Sequence, residues 1–264
     1  MTLQILDPRF VGGGIAVAVF LGILLFLQVG RWIGRRTIRR HGEHAQTNIS
    51  SLEAAVFALL GLLIAFTFSG ALSRFDERRA QVVDEGNAIG TAWLRIDLLP
   101  AQAQPKLRDA FRAYVDSRIA TYRLLPDIAA AKEELARSQR LQGEIWAQSV
   151  AALRLAEVRP ATEVLLVPAL NQMFDITSTR IAATQMHPPG IVYGMLVALA
   201  LAAALLSGYQ SASEKTYDWV HKIGFAAIVS LTVYVILDIE FPRLGLVRID
   251  AIDQILVGVR AGMQ

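Results

Sequence analysis

Residues 50–99 read SSLEAAVFALLGLLIAFTFSGALSRFDERRAQVVDEGNAIGTAWLRIDLL, without a proline, and the next residue is Pro100. Ser50 followed three places later by Glu53 has the pattern of a capping box, in which each side chain covers a backbone N–H that the first helical turn leaves free. A helix over the whole stretch would be about 75 Å long, against a hydrocarbon core of roughly 30 Å. Its first part, residues 54–72, is apolar apart from Thr67 and Ser69, whose hydroxyls can bond to carbonyls one turn back. Beyond residue 72 the pattern turns charged, so the stretch predicts one helix that begins in a membrane and ends outside it. At heptad spacing Phe57, Gly61, Ile64, Phe68, Ala71 and Phe75 form a stripe that either packs against a neighbour or lines a central hole in an oligomer. Ile64, Phe68, Ala71 and Phe75 are the candidate pore-lining residues. Further along, Arg74, Glu77, Gln81 and Glu85 share a face, the pattern of a solvated or subunit-facing surface.

The flanking sequence supplies three more spans. Of 264 residues 54% are hydrophobic, the mean hydropathy is +0.42, and the formal net charge is +3. Residues 10–30 are long enough to cross a bilayer, and arginines rather than a small-residue cleavage site follow them, which favours a retained span over a signal peptide. Arg31, Arg35, Arg36, Arg39 and Arg40 then predict a short basic loop suited to a membrane surface. Residues 191–209 and 223–237 are the third and fourth spans, the last short enough to need Trp219 and Val220 and a snorkelling Lys222. Asp238 and Glu240 at its far end are expected either at headgroup level or beside a watery path. Lys and Arg near the span ends divide evenly between the two sides; the first span, with one arginine before it and five after, places the short loops in the cytoplasm.

Between spans two and three the chain is helical by period. Leu107, Phe111, Tyr114, Arg118 and Tyr122 recur every three or four residues up to Pro126, a second helix covers residues 128–156, and a third covers 161–186 with a kink or break expected at Pro168. After Pro242, Asp250 and Asp253 begin a short closing helix. The reading is all-α: a four-span helical membrane protein whose long second helix extends into a soluble helical bundle. Its divisions are residues 1–73 (spans one and two with the basic loop), 74–187 (soluble helices), 188–240 (spans three and four) and 241–264 (tail).

Three segments carry a resemblance. GLLIAFTFSGALSRFDERR through EGNAIGTAWLRIDLLP (residues 61–100), VPALNQMFDITSTR (167–180) and LDIEFPRLGLVRID (237–250) together resemble a bacterial bestrophin-like membrane family of unknown function. The residues matching that family's pattern are Glu85, Asn87, Gly90, Thr91 and Arg95, then Asn171, Asp175 and Arg180, then Asp238, Pro242 and Gly245. Bestrophins are four-span, mostly pentameric anion channels whose second span lines the pore and continues into a large cytoplasmic domain. The resemblance therefore implies a homo-oligomer, a pentamer if it holds throughout, in the cell's inner (plasma) membrane. Two features depart from it: the Arg-Phe-Pro string of bestrophins is missing, and the arginine-rich first loop implies the opposite orientation.

Catalysis is the class least supported. Cysteine is absent, four histidines are scattered, and there is neither a glycine-rich phosphate loop nor a serine elbow. The string HGEH at residues 41–44 offers two histidines with no third ligand nearby, so no catalytic, cofactor or metal residues and no nucleic-acid partner are expected. Two readings stand: an oligomeric ion channel, or a membrane-anchored scaffold or sensor whose helical domain binds a partner and conducts nothing.

Overall fold

The computed structural model describes residues 8–41, 50–125, 127–214, 218–242, 246–247 and 250–264. Among these, every regular element is helical: α1 (Pro8–His41), α2 (Ser50–Arg95), α3 (Gln104–Arg123), α4 (Ile128–Leu153), α5 (Pro160–Ala183), α6 (Gly190–Gln210), α7 (Trp219–Glu240) and α8 (Asp250–Ala261), with 3-10 turns at Ile96–Leu98 and Ser211–Ser213. Helices α1, α2, α6 and α7 are long and apolar enough to cross a membrane. Glu43 and His44 of the HGEH string, Pro126 and Gly245 lie outside the described residues.

The long second helix is continuous for 46 residues. It tightens into the Ile96–Leu98 turn and stops at Leu99, whose backbone is extended at ψ 157°, because the ring of Pro100 excludes the helical region for the residue before it. Two expectations are corrected. The basic stretch at residues 31–40 is not a loop but the last turns of α1; no proline interrupts it, and arginine is a good helix former. Of the kink or break expected at Pro168, the break does not occur: α5 runs through it. Both Pro168 and Val164, whose carbonyl loses its donor, sit on the exposed side of the helix, where water can take the place of the missing bond.

Two compact units emerge, residues 1–74 with 187–246, and residues 75–186 with 247–264. In the first, α1 lies along α6 so closely that a Cβ on Gly30 would overlap the Leu205 carbonyl, and one on Gly208 the Leu27 carbonyl. Only glycine permits that approach, and in lipid, where apolar side chains gain nothing by leaving water, such packing is what joins helices. The Thr67 hydroxyl donates to the Leu63 carbonyl at 2.8 Å, and the Phe57 ring meets Phe225 of α7 edge-on at 5.5 Å. Glu53 pairs with the Ser207 hydroxyl of α6.

The second unit has a water-type core. Ile89 and Trp93 of α2, Leu107, Phe111 and Tyr114 of α3, Ile145 of α4, Leu166, Leu170 and Met173 of α5, and Leu256 of α8 are all buried together, each large apolar side chain contributing about 1.5–3 kcal/mol. Start signals match the sequence chemistry: Pro105 lies in the first turn of α3, and the Asp127 side chain accepts the Ala130 N–H to cap α4.

Candidate functional site

Three features of the described residues concentrate charge or leave a surface uncovered. The first is a buried centre in the unit of residues 75–186 and 247–264. Glu85, with none of its surface exposed, is reached by two arginines: Arg118 of α3 donates from Nε at 2.6 Å, and Arg180 of α5 from Nη1 to the other oxygen. Arg118 also donates to the Tyr122 hydroxyl at 2.7 Å, the Arg180 guanidinium lies over the Tyr122 ring at 4.1 Å, and Asp253 of α8 stands 3.9 Å from Arg180. Alongside, the Tyr114 and Thr177 hydroxyls meet at 2.8 Å, and Gln142 of α4 donates to the Tyr114 oxygen. Burial pushes the Tyr114 phenol up to about 12, the neighbouring Arg118 charge opposing it in part. This network ties α2, α3, α4, α5 and α8 to one another. Its centre, Glu85 with Arg118, Arg180, Tyr114 and Thr177, is buried, while Tyr122, Gln142 and Asp253 at its margin are partly exposed.

The second feature is a paired carboxylate in the other unit. Glu240, also wholly buried, accepts from Arg74 Nε at both oxygens, 3.0 and 3.1 Å, and from Nη2 at 2.7 Å, and meets His187 Nδ1 at 3.0 Å. The His187 ring stacks on Phe241 at 4.4 Å. Two residues earlier Asp238 accepts the Leu246 backbone N–H at 2.9 Å. The expected solvated face of Arg74, Glu77, Gln81 and Glu85 is thus corrected: Glu77 is exposed, but Gln81 and Glu85 are buried and Arg74 is half-buried, because Glu240 pairs with Arg74 and the two arginines with Glu85.

The third is the uncovered face of α2 in its apolar half. Gly61, Leu62, Ala65, Phe66, Ser69, Leu72 and Ser73 are exposed, with Phe68 at the margin. Of the stripe read from the sequence, Gly61 and Phe68 are exposed, Phe57, Ile64 and Phe75 half-buried, and Ala71 completely buried.

The family-pattern residues scatter across these features. Glu85 and Arg180 meet; Arg95 donates to the Leu165 carbonyl; Asn87 and Thr91 are exposed, and Gly90 is half-exposed. Asn171 and Asp175 line an open groove of about 670 Å³ with Asp84, Gln172 and Thr179. Asp238 is buried and Pro242 half-exposed. Sequence reasoning missed Arg118 as the partner of Glu85, although an arginine in the apolar repeat of Phe111, Tyr114 and Tyr122 was a signal. It missed His187 at Glu240, for which no local signal existed.

A family profile described as the bestrophin-like domain matches residues 21–251. Two point variants of a bacterial bestrophin homologue from Klebsiella pneumoniae have similar structures, at 15% and 17% identity and TM-scores of 0.65 and 0.62, each alignment covering 93% of this chain and 98% of that one. An alanine-for-proline variant of a membrane protein matches over the same shares at 14% identity and a TM-score of 0.62. No curated protein sequence matches the chain.

Proposed function

The chain belongs to the bestrophin-like family, and on that footing we propose that it is an ion channel of the cell's inner membrane rather than an enzyme, with anions as the conducted species. Several copies, five if the assembly follows bestrophins, would surround one axis with their α2 helices. The observation that carries this reading is the uncovered face of α2. Gly61, Ala65, Ser69 and Ser73 lie four residues apart on it, all exposed, and small residues at that spacing let helices of neighbouring copies approach closely. Phe68, Leu62 and Leu72 flank the row and would narrow the axis to an apolar constriction that gates by dewetting. A residue lining a hole between copies must be exposed in one copy, so Ala71 is left out of the proposed lining and Ile64 and Phe75 are placed at its edge.

The test combines ion flux into liposomes with mass by size-exclusion chromatography and light scattering. The parent is expected to run as a multiple of its 28.9 kDa chain, and Ile64→Ala with Phe68→Ala to raise flux while the oligomer stays intact. A monomer or dimer cannot build a central hole from one helix per copy and would overturn the proposal. So would an intact oligomer with no flux in either protein, which returns the scaffold reading. If the oligomer instead falls apart in the double variant, the stripe is a packed interface, its side chains each worth roughly 2–5 kcal/mol.

A further inference from the structure

The last turns of α1 hold a cluster that the channel reading does not use. Trp32, Arg36, Arg39 and Arg40 line a concave surface of about 350 Å³. The Arg36 guanidinium lies over the Trp32 ring at 5.5 Å, and Arg39 Nε donates to the Arg35 carbonyl. Among the described residues no carboxylate pairs with Arg35, Arg36, Arg39 or Arg40. Helical spacing puts Leu21, Leu25 and Val29 directly in line with Trp32, Arg36 and Arg39 on one face of α1, and all three are exposed. The face is therefore apolar for three turns, then aromatic, then cationic.

Independent markers give the level of the membrane boundary at this end. Trp219, the first residue of α7, is exposed like Trp32, and exposed tryptophans sit where hydrocarbon meets headgroups. Arg31 at the same end is buried and donates to the Glu214 carbonyl at 3.2 Å, while Lys222 Nζ donates to Ser211 at 2.8 Å. With Trp32 at the boundary, Arg36, Arg39 and Arg40 rise about 6–12 Å above it along the helix, the depth of lipid phosphates.

We propose that this face of α1 is a binding site for one anionic phospholipid, its phosphodiester held by Arg36, Arg39 and Arg40 above Trp32, and an acyl chain laid along Val29, Leu25 and Leu21. Guanidinium groups suit a phosphate because several N–H donors converge on its oxygens at once. A free phosphate would share the headgroup chemistry but would leave the apolar stripe unused. The lipid accounts for both halves of the face.

The full chain, purified in detergent, is titrated with a fluorescent phosphatidylglycerol. Saturable binding is expected, displaced by unlabelled phosphatidylglycerol but not by phosphatidylcholine or by millimolar inorganic phosphate. Arg36→Gln, Arg39→Gln and Arg40→Gln together should weaken it roughly a hundredfold, at about a factor of five per arginine near a membrane surface. Arg137→Gln with Arg140→Gln, on an exposed part of α4, should change nothing. Equal affinity for phosphatidylcholine, displacement by inorganic phosphate, or unchanged binding in the triple variant would each overturn the proposal. Should the glutamine variant aggregate, two other measurements decide. Arg36→Lys with Arg39→Lys and Arg40→Lys should keep saturable binding, weakened where the guanidinium fork is lost, and rising salt should weaken binding in the parent; complete loss in the first or indifference in the second counts against the site.

Discussion

Single residues bear the most concentrated energetic consequences. Glu85→Gln leaves the buried Arg118 charge uncompensated and Arg180 with only the more distant Asp253, a change that costs about 3–5 kcal/mol. Its exposed neighbour is a built-in control, since Asp84→Asn should shift denaturant stability by no more than about 0.5 kcal/mol. Tyr114 adds a pH test. Its phenol titrates at about 12 rather than 10.0 in the folded chain, so the folded state resists its ionisation. That contribution, about 3 kcal/mol, is fully present below pH 10 and lost as pH rises through about 12. Tyr114→Phe should therefore flatten the alkaline unfolding limb relative to the parent. Glu85 and Arg180 could be picked out from the sequence because they fall in strings with a family resemblance. Their meeting could not: the two are 95 positions apart, and nothing local records which helix faces which. Arg118 was visible as an oddity in an apolar repeat. Its burial follows only once a carboxylate from another helix is placed beside it.

Helices were the most legible level, since hydrophobic period and proline placement are local signals. The boundaries of α3 and α6 lie within a residue or two of those read from the chain, and α2 ends where Pro100 requires. The failures had local causes too. A run of charged arginines suggests a loop, although arginine propagates a helix well, and Pro168 suggests a kink or a break, although a helix whose freed carbonyl faces outward need not break there. A proline at Ala80, inside the charged half of α2, should cost about 3 kcal/mol or more through a lost hydrogen bond and a ring clash, seen as lost expression. Normal behaviour of that variant would mean that α2 bends or parts there. In α6 two glycines should respond with opposite sign. Gly208→Ala drives a methyl into the Leu27 backbone and should destabilise by about 1–3 kcal/mol. Gly194→Ala meets nothing within 4 Å, and should stabilise by up to about 1 kcal/mol through helix propensity. Thermal unfolding in one detergent compares them.

Each of the two units carries two of the four tryptophans, Trp32 and Trp219 in one, Trp93 and Trp146 in the other. In vesicles containing brominated lipid, variants that keep only Trp32 and Trp219 should lose much of their fluorescence. Those that keep only Trp93, buried against Phe111, should lose almost none. Strong quenching of Trp93 would mean that the unit of residues 75–186 lies in lipid. The glycine contact between α1 and α6 also bears on how the chain is made. Gly30 and Gly208 are 178 positions apart (208 − 30), and ribosomes add about 5–20 residues per second. From the moment α1 leaves the exit tunnel, its Gly30 notch waits roughly 10–35 s for the helix that fills it, open meanwhile to any other helix passing through the insertion machinery. The core of residues 75–186 and 247–264 waits about as long and closes later in synthesis, because Leu256 of α8 is translated last of all its buried members but Met263. Nearly the whole polypeptide must therefore be kept from misassociating until synthesis is almost done, and slowing the ribosome should lower the yield of this protein more than that of one built from neighbouring helices.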